Sequence, residues 1–236
     1  MLHSLTPNLM IWAEIHGVSR NQPYPWNSYL VHSENRNVRA LIDPLTLSTE
    51  QIQQIEEIGP PTHILLTCHY HERDSEQFRK KWGCRLLVHE NQADLFEIDV
   101  DDTFSDRAVL WDLMEVIRVP DVRHREEVSF LLQDEGALIV GDLVSGGRKD
   151  RGIPDGQVGI YAPQYLVDIE KARASLRILI DLEFDLLCFG HGSPLLNRAK
   201  QVLRQYIEND SIWKNLECER EEELRLNPNL RELHGT

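Results

Sequence analysis

Apolar and polar positions alternate along the first part of the chain with the period of strands, and later stretches shift to that of helices. Leu9 to Ile15 reads as a strand, followed by a polar, proline-rich turn at Asn21 to Pro25. Asn27 to His32 and Ala40 to Ile42 read as the next two strands, with Asn35-Arg36-Asn37 between them suited to a hairpin turn. Asp43-Pro44 stops the third strand, because proline has no N–H for a ladder and restricts the residue before it. Ser48 to Gly59 predicts a helix: Ser48 can cap it, Gln51 stands three residues on as in a capping box, and Ile52, Ile55 and Ile58 share a face. His63 to Cys68 is an apolar strand, Asp74 to Trp82 an amphipathic helix stopped by Gly83, and Arg85 to Val88 another short strand.

The second half repeats the change of period. After an acidic loop at Asp99 to Asp102, Leu113 to Val119, Val128 to Leu132 and Ala137 to Val140 read as antiparallel strands. Gln133-Asp134-Glu135-Gly136 joins the last two, with Gly136 placed where positive φ is needed. Gly146 to Gly159 is a long loop rich in glycine and charge. Gln164 to Leu182 predicts a helix with Leu166, Ile169, Leu176, Leu179 and Ile180 on its apolar side. Phe184 to Phe189 is a last strand before Gly190-His191-Gly192, one or two charged helices run from Pro194 to about Glu223, and Leu224 onward is a loose tail. Two β-rich blocks without a linker or repeat predict two sheets in one domain.

Composition narrows the function. The chain has 236 residues, 41% of them hydrophobic and 27% charged, ordinary values for a globular protein with a sizeable core. A net charge of −14 argues against a nucleic-acid surface and against binding to an anionic membrane. Cys68, Cys84, Cys188 and Cys218 form no CxxC pair, which suits reduced thiols in a cytoplasmic protein. No signal pattern opens the sequence and no apolar run reaches transmembrane length, in keeping with that location.

Candidate chemistry gathers at strand ends. The stretch Ile64 to Asp74 carries His69, His71 and Asp74, and His124, Asp142 and His191 stand at later ends. Histidine and carboxylate ligands favour zinc, with iron or manganese as the other candidates. His69 and His71 point to one face if strand geometry persists through them. Against this stand plainer roles: a lone histidine at a strand end is often a hydrogen-bonded structural group, and Asp142 after Gly141 could cap a turn. Cys68 could be a soft ligand, but buried thiols are more often small hydrophobes.

These residues, in this order, resemble the metallo-β-lactamase fold superfamily of metal-dependent hydrolases, which includes glyoxalase II and related thioesterases. The resemblance runs from about Met10 to Leu195. It rests on Leu41-Ile42-Asp43-Pro44, the histidine cluster, Val128 to Leu132 leading to Gly136 through Asp142, Lys171 to Leu176, and Phe184 through Gly192. It implies an α+β fold, a four-layer αββα sandwich with two mixed sheets face to face and helices outside. One domain would span 1–236, with the C-terminal helices from about 194 packed on it. The implied activity is hydrolysis of an ester, thioester or similar bond of a small molecule through a metal-activated water. His69, His71, Asp74, His124, Asp142 and His191 would be the metal ligands, and Asp74 and Asp142 the catalytic carboxylates.

The first motif departs from the family's His-x-His-x-Asp-His. Aligned on the histidines, Arg73 replaces the aspartate and Asp74 the last histidine. Aligned on Thr67, the ligand positions fall on Cys68, Tyr70, Glu72 and Arg73. The family's next histidine falls near Arg123 and His124. Two ions roughly 3.5–4 Å apart need a full ligand set, and an arginine in that set places a cation where a metal should sit. The sequence therefore leaves open one ion, or no ion with Arg73 paired to Asp142 or Asp74. The alternative to an enzyme is a non-catalytic relative whose old site serves binding or scaffolding. Gly146-Gly147-Arg148-Lys149 reads either as an anion-binding loop or as a solvated one.

Overall fold

The computed structural model describes residues 1–122, 127–160, 162–166, 168–227 and 229. His124 lies outside them. The first sheet has seven strands in chain order: β1 (His3–Thr6), β2 (Leu9–His16), β3 (Tyr24–Ser33), β4 (Val38–Ile42), β5 (His63–Leu65), β6 (Arg85–His89) and β7 (Asp102–Phe104). The strands from β1 to β4 are antiparallel and those from β4 to β7 parallel. Parallel neighbours need a crossover, and α1 (Thr49–Ile58) and α2 (Ser75–Trp82) supply two of them. The second sheet has five strands, β8 (Val109–Leu110), β9 (Met114–Val119), β10 (Glu127–Leu132), β11 (Ala137–Val140) and β12 (Leu186–Phe189), in the order 12-11-10-9-8. Its β11–β12 pair is parallel, bridged by α3 (Ile169–Ile180), and the other pairs are antiparallel.

Alternation along the strands assigns the layers. Tyr29, Val31, Ala40 and Ile42 pack with Val128, Phe130, Ile139 and Cys188 between the sheets. Their neighbours Leu30 and Leu41 face the other way, onto Ile55 of α1 and Phe78 of α2. On the far side Leu138, Val140 and Leu187 pack against α3, α4 (Ala199–Glu208) and α5 (Asp210–Leu226). The result is the αββα sandwich, apolar on both faces of each sheet as a doubly covered sheet must be. No helix among the described residues is long and apolar enough to cross a membrane.

The capping box at α1 is present: Ser48 accepts from the Gln51 N–H, and the Gln51 side chain accepts from the Ser48 N–H at 2.8 Å. Ser48→Ala is expected to cost about 1 kcal/mol in urea denaturation. Gly136 sits at φ +56 in its turn, as the sequence requires.

Several boundaries differ from the sequence expectation. β1 lies outside the predicted strands. β3 begins at Tyr24 and runs through Pro25, where a turn was expected. β4 reaches only to Tyr29, so proline removes no ladder bond to β4, and the start of β3 pairs instead with Gly190 to Gly192, the Pro25 carbonyl accepting the Gly192 N–H. β5 ends at Leu65 rather than Cys68, because the Thr67 N–H goes to the Asp43 side chain and its carbonyl to Val128 of the other sheet. α3 starts late, at Ile169, because Asp168 caps it through the Lys171 N–H at 2.8 Å.

Candidate metal centre

The centre begins where β4 and β5 end side by side. Asp43, just past β4, has φ +50, a conformation aspartate tolerates better than most residues. Its Oδ1 accepts the Thr67 N–H at 2.9 Å, and its Oδ2 accepts the Thr67 hydroxyl at 2.7 Å. His71 Nδ1 lies 2.8 Å from the same Oδ2 and 3.0 Å from Thr67 Oγ1. Facing two oxygens, Nδ1 carries the proton and Nε2 points away from Asp43. Burial opposes ionisation of Asp43, but His71, Arg73 and Thr67 together hold its carboxyl below the usual range. Burial and Arg73 push His71 down, while Cys68, Asp43 and Asp142 push it up, and the net result is well above an ordinary imidazole.

The other half stands at the ends of β11 and β12, which the parallel register makes neighbours. Asp142 follows Gly141, and its N–H is held by Glu127 Oε2 at 2.7 Å. His191 is clamped by β3: the Asn27 N–H reaches Gly190 O and the Gly192 N–H reaches Pro25 O, both at 2.9 Å. The Asn27 side chain adds bonds to Phe189 O and Gly192 O at 2.9 and 2.7 Å. The Trp26 ring meets His191 edge-on at 5.0 Å, and His16 stacks on Trp26 at 3.9 Å. Burial drives His191 down to about 4, with Asp142 restoring part of the loss and His71 and Arg73 adding to it. Two histidines of one site are thus pushed in opposite directions by their surroundings.

The two halves meet at one oxygen. His191 Nε2 lies 3.0 Å from Asp142 Oδ1, and His71 Nε2 lies 3.4 Å from it. One ligand atom from each of His71, Asp142 and His191 lies within 4.8 Å of the others. Ligands at the usual zinc distances around a tetrahedral ion are roughly 3.3 Å apart, so these three fit one cation with little movement. The bond from His71 Nδ1 to Asp43 is the carboxylate–histidine support that metal-binding imidazoles usually have.

Of the residues expected to serve the site, the structure gathers His71, Asp142 and His191. It leaves out His69 and Asp74. The chain turns into a 3-10 helix at His69–His71 instead of staying extended, so the two histidines do not share a face. The His69 ring lies tilted against Tyr70, centroids 3.8 Å apart, and Asp74 Oδ2 accepts the Thr46 hydroxyl at 2.9 Å at the start of α2. Neither alignment of the first motif survives whole. Tyr70 is 68% exposed, and Glu72 accepts the Glu97 N–H. Cys68 is buried, and burial pushes its thiol up while the neighbouring His71 opposes part of that shift.

The Arg148 loop departs from both of its readings. Arg148 is 4% exposed, bonded through Nε and Nη2 to Asp150 at 3.0 and 2.6 Å, and stacked 3.8 Å over Tyr24. It is neither solvated nor free for an anion. Missed from the sequence were the supporting groups Asp43, Thr67 and Glu127. Asp43-Pro44 was legible as a strand stop and as a family turn, but not as the partner of His71.

A family model described as the metallo-beta-lactamase superfamily matches residues 2–209. Among solved structures, a metallo-beta-lactamase from Pontibacter korlensis is 15% identical, with a TM-score of 0.67 over 91% of this chain and 99% of its own. A flavo di-iron protein from Thermotoga maritima is 16% identical, with a TM-score of 0.68 over 88% of this chain and 61% of its own. FIM-1 from Pseudomonas aeruginosa, solved in its mono-zinc form, is 13% identical, with a TM-score of 0.63 over 90% and 96%. At these identities the solved structures speak for the fold alone. No curated protein matches the chain.

Proposed function

This chain belongs to the metallo-β-lactamase superfamily, and from that premise we propose that it is a metal-dependent hydrolase with a single-ion centre, cleaving an ester, thioester or similar bond in a small molecule. The observation that carries the reading is the convergence of His71, Asp142 and His191 on one point, with Asp43 behind His71. Two imidazoles and a carboxylate suit zinc first, and iron or manganese next. A cation bound there would supply Lewis acidity, polarising a carbonyl and easing ionisation of water.

The protein's own groups do the positioning. Asp43 and Thr67 fix the His71 ring, Glu127 fixes the backbone at Asp142, and β3 holds His191. His71 must give up a proton to act as a ligand, so acid weakens metal binding. Three of the four cysteines are buried free thiols, in keeping with a cytoplasmic setting.

A second reading, a non-catalytic relative, draws on one observation. His71, its pKa raised, already forms ion pairs with Asp43 and Asp142, so part of the cluster's negative charge is offset without an ion.

Elemental analysis of protein purified without chelators separates the two. The hydrolase reading expects about one equivalent of metal per chain, falling below about a tenth in Asp142→Ala or His191→Ala. Ester or thioester hydrolysis should disappear in the same variants. A wild-type protein that holds no metal after zinc, iron and manganese are each added back would sink the reading.

A further inference from the structure

Arg73 is tied into the centre by only part of its side chain. Its backbone has φ +43, a left-handed conformation that costs a non-glycine residue about 1–2 kcal/mol. Its Nη1 donates to two carbonyls, Asn27 O at 2.7 Å and Asp43 O at 2.9 Å. Those bonds fix the plane of the guanidinium, whose Cζ lies 5.6 Å from the Trp26 ring centre. The same ring meets His191 edge-on at 5.0 Å, and Asp43, whose carbonyl Arg73 binds, holds His71 through its side chain at 2.8 Å.

The remaining donors are Nε–H and Nη2–H. Both nitrogens are buried, and among the described residues no group accepts from either. They form one edge of the guanidinium, the parallel pair with which arginine grips a carboxylate or phosphate. The carboxylates next to Arg73 in the chain and at the Asp43 turn it binds are engaged elsewhere: Glu72 Oε2 accepts the Glu97 N–H, Asp74 Oδ2 binds Thr46, and both Asp43 oxygens bind Thr67 or His71. Arg148, the other cation near the rim, is neutralised by Asp150. Leaving two charged donors buried and unmet is costly, and the fold holds Arg73 in a strained backbone to keep them there.

We propose that Arg73 is the anion-binding element of the centre, its Nε–H and Nη2–H taking two oxygens of a carboxylate or phosphoryl group on the substrate beside His71, Asp142 and His191. This rests on the hydrolytic reading for the location of the reaction, and it adds that the substrate is anionic. In a chain with a net charge of −14, such a substrate needs a local cation, and Arg73 provides a fixed one.

The test is calorimetric titration of inorganic phosphate, and separately of acetate, into zinc-loaded and chelator-stripped protein at constant ionic strength. Wild type should bind at least one of the two anions. Arg73→Ala should weaken that binding by about tenfold or more, with the metal content unchanged. Arg73→Lys, which keeps the charge but loses the fork, should fall between them. A preference for acetate points to a carboxylate substrate, and a preference for phosphate to a phosphoryl one. Anion binding that is equal in wild type and Arg73→Ala, or absent from wild type, overturns the proposal. Should Arg73→Ala fail to fold, wild-type affinity in Arg73→Lys overturns it instead. Anion binding that depends on Arg73 in a protein taking up no metal supports the fork while sinking the hydrolase reading, so the two failures are distinguishable.

Discussion

Asp43→Ala is expected to lower the free energy of unfolding by about 3–5 kcal/mol, the range for removing one partner of a buried ion pair. Asp43 is 1% exposed, and its two oxygens accept the Thr67 N–H, the Thr67 hydroxyl and His71 Nδ1. Alanine leaves those donors buried and strands the charge of His71. Asp43→Asn separates the contributions. Its amide oxygen can still accept from Thr67, but its NH2 cannot accept from His71 Nδ1, so stability should fall less while metal affinity falls about 10–100-fold. The pH dependence has a definite sign. Asp43 is more acidic in the folded chain than in the unfolded one, so its stabilisation is full above the unfolded carboxylate range and fades as pH falls through its folded pKa. The gap between wild type and Asp43→Ala should therefore narrow in acid. Urea denaturation across pH measures it, and a gap that widens in acid would show that the carboxylate is not what stabilises the fold here.

Asp43 is invisible in the sequence as the partner of His71, because its contacts span long stretches of chain. Periodicity exposed most of the sandwich, because strands such as Val128 to Leu132 and Ala137 to Val140 are buried on both faces and carry little but apolar residues. The Ser48–Gln51 box and the Gly136 turn are local bonds between near neighbours, and they too were legible. Strand ends are decided otherwise. β5 stops at Leu65 because Thr67 finds partners 24 residues back in the chain and in the opposite sheet. That stop releases the next residues into a 3-10 turn, which separates His71 from His69. Nothing in Thr67-Cys68-His69-Tyr70-His71 states which histidine faces inward. Asp142 and His191 were easier to place, since each follows a glycine directly after an apolar strand. Arg148 was misread for a related reason. A charged residue in a glycine-rich loop suggests solvent, and the ion pair and aromatic ring that bury it become visible only in three dimensions.

The glycines before Asp142 and His191 do more than end strands, and Gly141→Ala should show it. A Cβ at Gly141 would press into the Thr67 side chain and come within 3.0 Å of Glu127 Oε2. Those are the two groups that orient His71 through Asp43 and anchor the Asp142 N–H. Neither can retreat, because Thr67 is fully buried and Glu127 is 2% exposed. Overpacking of this kind costs about 3 kcal/mol at the upper end of its usual range, and relief requires moving both supports of the centre. Gly141→Ala should therefore lower the urea midpoint and the metal content together. Gly136→Ala is the control. Its Cβ would meet nothing within 4 Å, so it should cost only the left-handed backbone strain of about 1–2 kcal/mol and leave metal content untouched. A Gly141→Ala protein that is destabilised but keeps its full complement of metal would show that Thr67 and Glu127 pack the sandwich without positioning its ligands.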